Sequence, residues 1–172
     1  MKKILLYAGC LLAFVLYPMF GFAGLPNLEL SDLSGNPCTI PHWGEKNLLI
    51  FYVDPDESKQ NHEFTIELEE NKKAVGPDIF GFGIINLKDA PLLPNFIVTS
   101  MAKRRTEKNK APVIADKNRI VATKWNLGDC NNKFVIMVIN KAGEMVFMRK
   151  GVLTDKDKEE FYKIIPLYTG NK

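Results

Sequence analysis

Leu48-Leu49-Ile50-Phe51-Tyr52-Val53-Asp54-Pro55-Asp56-Glu57-Ser58 is the stretch that decides the fold. Its first six residues are apolar without a break and include β-branched and aromatic members, the pattern of a strand buried on both faces. Asp54-Pro55 stops the strand. The carboxylates of Asp54, Asp56 and Glu57 then suit the free backbone N–H groups at the start of a helix, expected from about Glu57 to Lys73 with Phe64 and Leu68 on one face.

Outward from this central strand the chain carries regular punctuation and no internal repeat. Upstream, Leu25 to Leu30 reads as a short extended piece. Ser31-Asp32-Leu33-Ser34-Gly35-Asn36-Pro37 follows as a turn, and Cys38 to Ile40 as a second extended piece. Downstream, Ile79 to Leu87 is the next strand, with Gly81 and Gly83 suggesting a bend or close packing. Pro94-Asn95 opens a helix to about Lys108. Val113 to Ala115 and Ile120 to Trp125 read as short extended or mixed elements around Asp116-Lys117-Asn118. Phe134 to Ile139 is a second strongly apolar strand, turned by Asn140-Lys141-Ala142-Gly143 into Glu144 to Lys150 as a hairpin. Thr154 caps a closing helix, with Asp155 and Asp157 in its first turn and Phe161, Ile164, Ile165 and Tyr168 on its buried face. The order βαβ, α, β-hairpin, α is that of a thioredoxin-like α/β domain: a mixed central sheet flanked by helices, with an N-terminal β extension.

The chain begins with a different grammar. Lys2 and Lys3 make a basic start, Ile4 to Phe20 is apolar and uncharged, and Gly21-Phe22-Ala23 ends it on small residues. These are the three parts of a cleavable secretory signal peptide, with cleavage between Ala23 and Gly24. Pro18 interrupts the apolar run, which is short for a span needing ~20 apolar residues, so no membrane span is expected after cleavage. A lipoprotein modified at Cys10 would leave only Ile4 to Tyr7 as its apolar core. The expected organisation is a signal over 1–23 and one domain over 24–172, in the periplasm.

Removing the signal changes the electrostatics. The whole chain carries 23 basic and 20 acidic residues for a net charge of +3; without Lys2 and Lys3 the net charge is +1. That balance lacks the basic excess of a nucleic-acid binder, and no nucleic-acid partner is expected. Of three cysteines, Cys38 and Cys130 remain. In an oxidising compartment they could pair, a bridge contributing up to ~4.7 kcal/mol by loop closure.

Specific residues carry a resemblance as well. Leu28-Glu29-Leu30-Ser31-Asp32-Leu33-Ser34-Gly35-Asn36-Pro37, the Leu48 to Val53 strand, Ile114-Ala115-Asp116 and the Asn140-Lys141-Ala142-Gly143 turn resemble the redoxin branch of the thioredoxin superfamily. Phe51-Tyr52-Val53-Asp54-Pro55-Asp56, Gly83-Ile84-Ile85-Asn86-Leu87-Lys88-Asp89-Ala90-Pro91, Phe96 to Ser100 and Trp125-Asn126-Leu127 resemble the YtfJ family of bacterial periplasmic proteins. The resemblance implies a thioredoxin-like fold in the periplasm and leaves the activity open. Redoxin-type oxidoreductases carry a nucleophilic cysteine just after the central strand, where a helix N-terminus stabilises the thiolate. This chain has Asp54-Pro55-Asp56-Glu57-Ser58-Lys59 there, and no thiol between Cys38 and Cys130.

Three chemistries compete for the remaining residues. Cys130, just before the Phe134 strand, is a candidate redox thiol with Cys38 as resolving partner, or one half of a structural disulfide. Asp54, Asp56 and Glu57 are candidate rim residues of a ligand site. With His62 and Glu63 they are also the densest set of potential metal ligands, but they lack the glycine and terminal glutamate of a calcium loop and offer zinc only one histidine. Helix capping accounts for them without a metal. His42, beside Trp43, has no evident partner and reads as a turn residue. Lys103, Arg104, Arg105, Lys108 and Lys110 read as an exposed basic helix face, which an anionic lipid, a polyanion or an acidic partner could meet. Gly81-Phe82-Gly83 lies within a strand and is no phosphate loop.

The expectation is therefore a periplasmic thioredoxin-like protein without the usual redox cysteine, with no assigned catalytic residue, metal or cofactor. Its role would be to bind a periplasmic protein or small ligand at the old active-site rim. The competing expectation is a divergent thiol-disulfide or thiol-dependent oxidoreductase working from Cys130, and metal-dependent hydrolysis at the acidic loop is a third.

Overall fold

In the computed structural model, residues 24–89, 100, 102–103 and 111–171 are described. The signal segment lies outside them, as does most of the helix expected over 94–108, of which Ser100, Ala102 and Lys103 are helical. β1 (Glu29–Ser31) and β2 (Pro37–Thr39) form the N-terminal hairpin, and β3 (Asn47–Val53) is the central apolar strand. A 3-10 turn (Pro55–Glu57) and α1 (His62–Asn71) lead to β4 (Ile79–Asn86) and β5 (Val113–Asp116). After α2 (Ile120–Lys124) come β6 (Phe134–Ile139), β7 (Met145–Lys150), α3 (Asp155–Ile164) and α4 (Pro166–Thr169).

The seven strands form one mixed sheet in the order β2-β1-β5-β4-β3-β6-β7. β3, β4 and β5 are parallel, β6 runs antiparallel to β3 and β7 to β6, and the β1–β2 hairpin adds to the outer side of β5 through the single pair Ser31–Ala115. The sheet has two apolar faces because strand side chains alternate. Leu48, Ile50 and Tyr52 pack with Val135, Met137, Phe82, Ile84 and the α2 residues Val121 and Ala122 on one face. Leu49, with Phe51 and Val53, packs with Ile136, Val138, Phe64, Leu68, Phe161 and Ile165 on the other, beneath α1 and α3. There Phe161 meets both Phe64 and Phe147 edge-on at 5.5 Å, a preferred aromatic geometry.

Two sequence expectations are corrected. The helix after β3 does not begin at Glu57. A 3-10 turn and an irregular connector intervene, and α1 starts at His62 after Asn61 in a left-handed conformation (φ 60°). Ile120 to Lys124 is a helix and not an extended element, because Asp116 supplies capping that short-range propensity does not reveal. Gly81 and Gly83 sit inside β4 without close approach: an added Cβ at Gly83 would meet the Val113 side chain at 3.4 Å, an ordinary contact.

The closing helix follows its sequence signals. Thr154 and Asp157 form a reciprocal capping box, Asp157 N–H donating to Thr154 Oγ1 at 3.2 Å and Thr154 N–H to Asp157 Oδ2 at 2.9 Å. Arg149 Nε donates to the same carboxylate at 2.7 Å. Thr154 first, then Arg149, hold the Asp157 carboxyl down to about 2. An aspartate depressed in the folded state stabilises above its unfolded value and loses that contribution as pH falls toward the folded one. The thermal midpoint is therefore expected to drop between about pH 4 and pH 2, and Asp157→Asn to flatten that part of the profile; an unchanged acid limb in the variant would contradict the assignment.

Candidate functional site

The three parallel strands all end on a carboxylate or its amide: Asp54 follows β3, Asn86 closes β4 and Asp116 closes β5. All three are fully buried. The C-terminal edge of parallel strands is where α/β folds place their ligands, so the occupancy of each group decides what this edge can do.

Asp54 is consumed by the fold. Its Oδ1 accepts the Asp56 N–H at 3.0 Å and its Oδ2 the Asn132 N–H at 2.8 Å, tying the end of β3 to the loop before β6. Burial pushes the carboxyl above the ordinary aspartate range, against the downward pull of these two donors. The connector that follows is fastened in the same way. Gln60 Oε1 accepts the Phe134 N–H at 2.8 Å, while Asn61 Nδ2 donates to Gly151 O and Asn61 Oδ1 accepts from Leu153 N, both at 2.8 Å. Asp56 is exposed and Glu57 half-buried on the outer side of the turn, so of the three candidate rim residues only these two face solvent. His62 and Glu63 are exposed at the start of α1. Among the described residues no group of three or more His, Cys, Asp or Glu side chains is disposed to hold a metal ion.

Asp116 is more heavily committed. Its carboxylate accepts from the backbone N–H groups of Asn118 (3.1 Å), Ile120 (2.8 Å) and Val121 (2.9 Å) and from the Tyr52 hydroxyl (3.3 Å). Burial and the Asp116 charge raise the Tyr52 phenol well above its ordinary value, so Tyr52 is a fixed donor. Beside this pair, Asp89 is buried, accepts from the Asn86 amide and is bridged by Arg119. Asn86 Oδ1 is a buried acceptor without a partner among the described residues.

The cysteines are free and apart. Cys130 is buried in the loop before β6, its thiol directed at Gly128 O at 3.6 Å. Lys150 staples that loop by donating to Leu127 O at 2.7 Å. Burial raises the Cys130 thiol above its ordinary value, outweighing nearby Lys150. Cys38 is half-buried on the edge strand β2, also raised by burial. Cys130 lies in the loop that leads into β6, five strand positions from β2, and neither thiol is in a disulfide. The two thiols are not partners within this fold. His42, expected to lack a partner, pairs through Nδ1 with Glu45 at 3.0 Å and sets its ring against Phe80. Lys103 is exposed, while Arg104, Arg105, Lys108 and Lys110 lie outside the described residues.

Sequence reading missed Tyr52, Gln60, Asn61, Asn86, Asp89 and Arg119 as members of this edge. One signal was available, the Asx residue at the end of each parallel strand.

A parallel three-strand core extended by an antiparallel hairpin, with helices on both faces, is the thioredoxin-like fold. The solved structures it resembles agree. A DsbF homologue from Corynebacterium diphtheriae superposes with a TM-score of 0.60 at 13% identity, covering 86% of this chain and 89% of that one. The exposed lipoprotein thioredoxin Etrx1 of Streptococcus pneumoniae gives 0.59 at 15%, covering 80% and 98%. StoA from Bacillus subtilis gives 0.52 at 14%, covering 81% and 98%. At these identities the likeness is one of fold. The chain belongs to the family described as "Bacterial protein of unknown function (YtfJ_HI0045)", whose model matches residues 62–167. No curated protein sequence matches it.

Proposed function

We propose that this is an exported, periplasmic binding protein that keeps the thioredoxin scaffold and does not carry out thiol-disulfide exchange. The observation that carries the reading is Asp54. At the chain position where redoxin-type enzymes place a nucleophile stands a buried carboxylate with both oxygens engaged by backbone N–H groups. α1 then begins at His62, with Asn61 fastened to the β7–α3 loop, so this helix start presents no thiol to solvent. Cys130 is a poor nucleophile where it lies, since burial favours the neutral thiol over the thiolate that would attack a disulfide. Export is supported by the Lys2-Lys3, apolar, Gly21-Phe22-Ala23 grammar and by the likeness in fold to a protein described as an exposed lipoprotein. Among the described residues no helix is long and apolar enough to cross a membrane.

One preparation tests both parts. The protein is recovered from a periplasmic fraction, sequenced from its N-terminus, and titrated with a chromogenic disulfide with and without denaturant. The expected results are Gly24 as first residue, a Cys130 thiol that reacts only after unfolding, and no acceleration of insulin reduction by dithiothreitol. Fast native labelling of Cys130 together with insulin turnover would establish the oxidoreductase reading instead.

A further inference from the structure

β1 and β5 part company within one residue of their single pairing. Ser31 faces Ala115, β5 ends at Asp116 one residue later, and its chain turns away into α2 while the segment before Ser31 runs on. The place beside residues 26–30 that another strand would fill is an open cleft of about 680 Å³. Its apolar lining comes from the exposed Pro26 and Pro37, the half-buried Ile120, and the buried Leu28, Leu30 and Ala115.

Two further features give the cleft a chemistry. Backbone groups alternate along an antiparallel strand. Asp32 N–H is spent on Asn36 O within the hairpin, which turns the N–H and C=O of Ser31 and of Glu29 the other way, toward β5. β5 has ended before it can meet Glu29, which leaves that residue's donor and acceptor on the cleft wall. Lys117 and Lys124 also line the cleft, both exposed and neither ammonium group with a hydrogen bond or ion pair among the described residues. Among the described residues of the lining Glu29 is the only acidic one, on the β1 wall, and this polarity favours one orientation of a bound chain.

We propose that this vacated strand position binds an extended acidic peptide segment. The peptide pairs its backbone with Glu29, sets an apolar side chain against the half-buried Ile120, and directs a carboxylate at Lys117 and Lys124. Strand addition of this kind draws its affinity from main-chain hydrogen bonds and its selectivity from side-chain pockets and charge. The inference refines the proposed binding role by giving it a site and a ligand class, while resting on residues remote from the thiols.

The test uses the protein labelled with nitrogen-15 and three degenerate heptapeptide pools of otherwise apolar and threonine residues, carrying two Asp, two Asn or two Lys. The acidic pool is expected to produce saturable shifts at the amides of Glu29, Ser31 and Lys117. Lys117→Ala combined with Lys124→Ala is expected to weaken binding roughly tenfold, and raising the salt to weaken it as well. No saturable shift with any pool, equal binding of the basic pool, or shifts confined to residues 54–61 would overturn the proposal. A protein with inert thiols that binds no pool loses this site and keeps its non-redox reading; one with turnover in the insulin assay and acidic-peptide binding at Glu29 loses the non-redox reading and keeps the site.

Discussion

Asp116→Ala is expected to lower the unfolding free energy by roughly 3–5 kcal/mol. The carboxylate serves four donors, and two of them, the Val121 N–H and the Tyr52 hydroxyl, belong to residues with no solvent exposure. Truncation leaves both without an acceptor, and a buried orphaned donor costs more than an average hydrogen bond contributes. Asn118 and Ile120 are less enclosed, and water can replace part of their loss. The measurement is urea unfolding followed by far-ultraviolet circular dichroism. A second variant isolates the buried pair. Tyr52→Phe alone should cost about 1 kcal/mol, yet in the Asp116→Ala background it should be neutral or stabilising, because it then removes a hydroxyl with nothing to bond. Additive losses in that double-mutant cycle would show that Tyr52 and Asp116 do not act as a pair.

Asp54→Ala is expected to cost slightly less, roughly 2–5 kcal/mol, for the two backbone N–H groups of Asp56 and Asn132 that it strands. The loss should be felt at a distance. The Asn132 bond joins residues 78 apart in sequence, so hydrogen exchange is expected to accelerate at Asn132 and Phe134 as well as at Asp56 and Glu57. Asp54→Asn keeps one carbonyl acceptor but sets an amide donor against a backbone donor, and should fall between wild type and alanine. A loss under about 1 kcal/mol in the alanine variant would mean that Asp54 is not the staple described. Since burial raises its carboxyl, Asp54 destabilises progressively as pH climbs from the ordinary aspartate value through its folded one, opposite in sign to Asp157.

These two variants bear on function because they separate staple from site. If Asp54 is a scaffold element, its loss weakens the fold while leaving acidic-peptide binding beside Glu29 largely intact, since β1 and β5 lie on the other side of β4 from β3.

Most elements were legible in the sequence for local reasons. The apolar run at 48–53, the alternation and turn at 134–150, and Thr154 with Asp157 each carry their instructions within a few residues, and β3, β6, β7 and α3 appear where those instructions put them. The two misread elements lacked such signals. The stretch 120–124 contains β-branched residues that favour strands, yet it is helical because Asp116, four residues before its first N–H, accepts there. The connector 58–61 looked like the first turn of α1, but Gln60 and Asn61 are drawn off to bond Phe134, Gly151 and Leu153.

The sequence by itself determined that a redoxin-like strand ends here without a thiol, since the absence of cysteine between Cys38 and Cys130 is a matter of composition. It also determined where β3, β6, β7 and α3 fall, through periodicities and caps set by neighbouring residues. Only the tertiary structure decided what the substituted residues do. Asp54, placed by sequence on a ligand-site rim, is buried and spent on a loop 78 residues away; Cys38 and Cys130, each able to pair in principle, are both free. The cleft beside Glu29 exists because the chain turns away into α2 one residue after β5 pairs with Ser31. The reason is general: burial and hydrogen-bond partnership are properties of pairs brought together by the fold, whereas propensity and capping belong to neighbours along the chain.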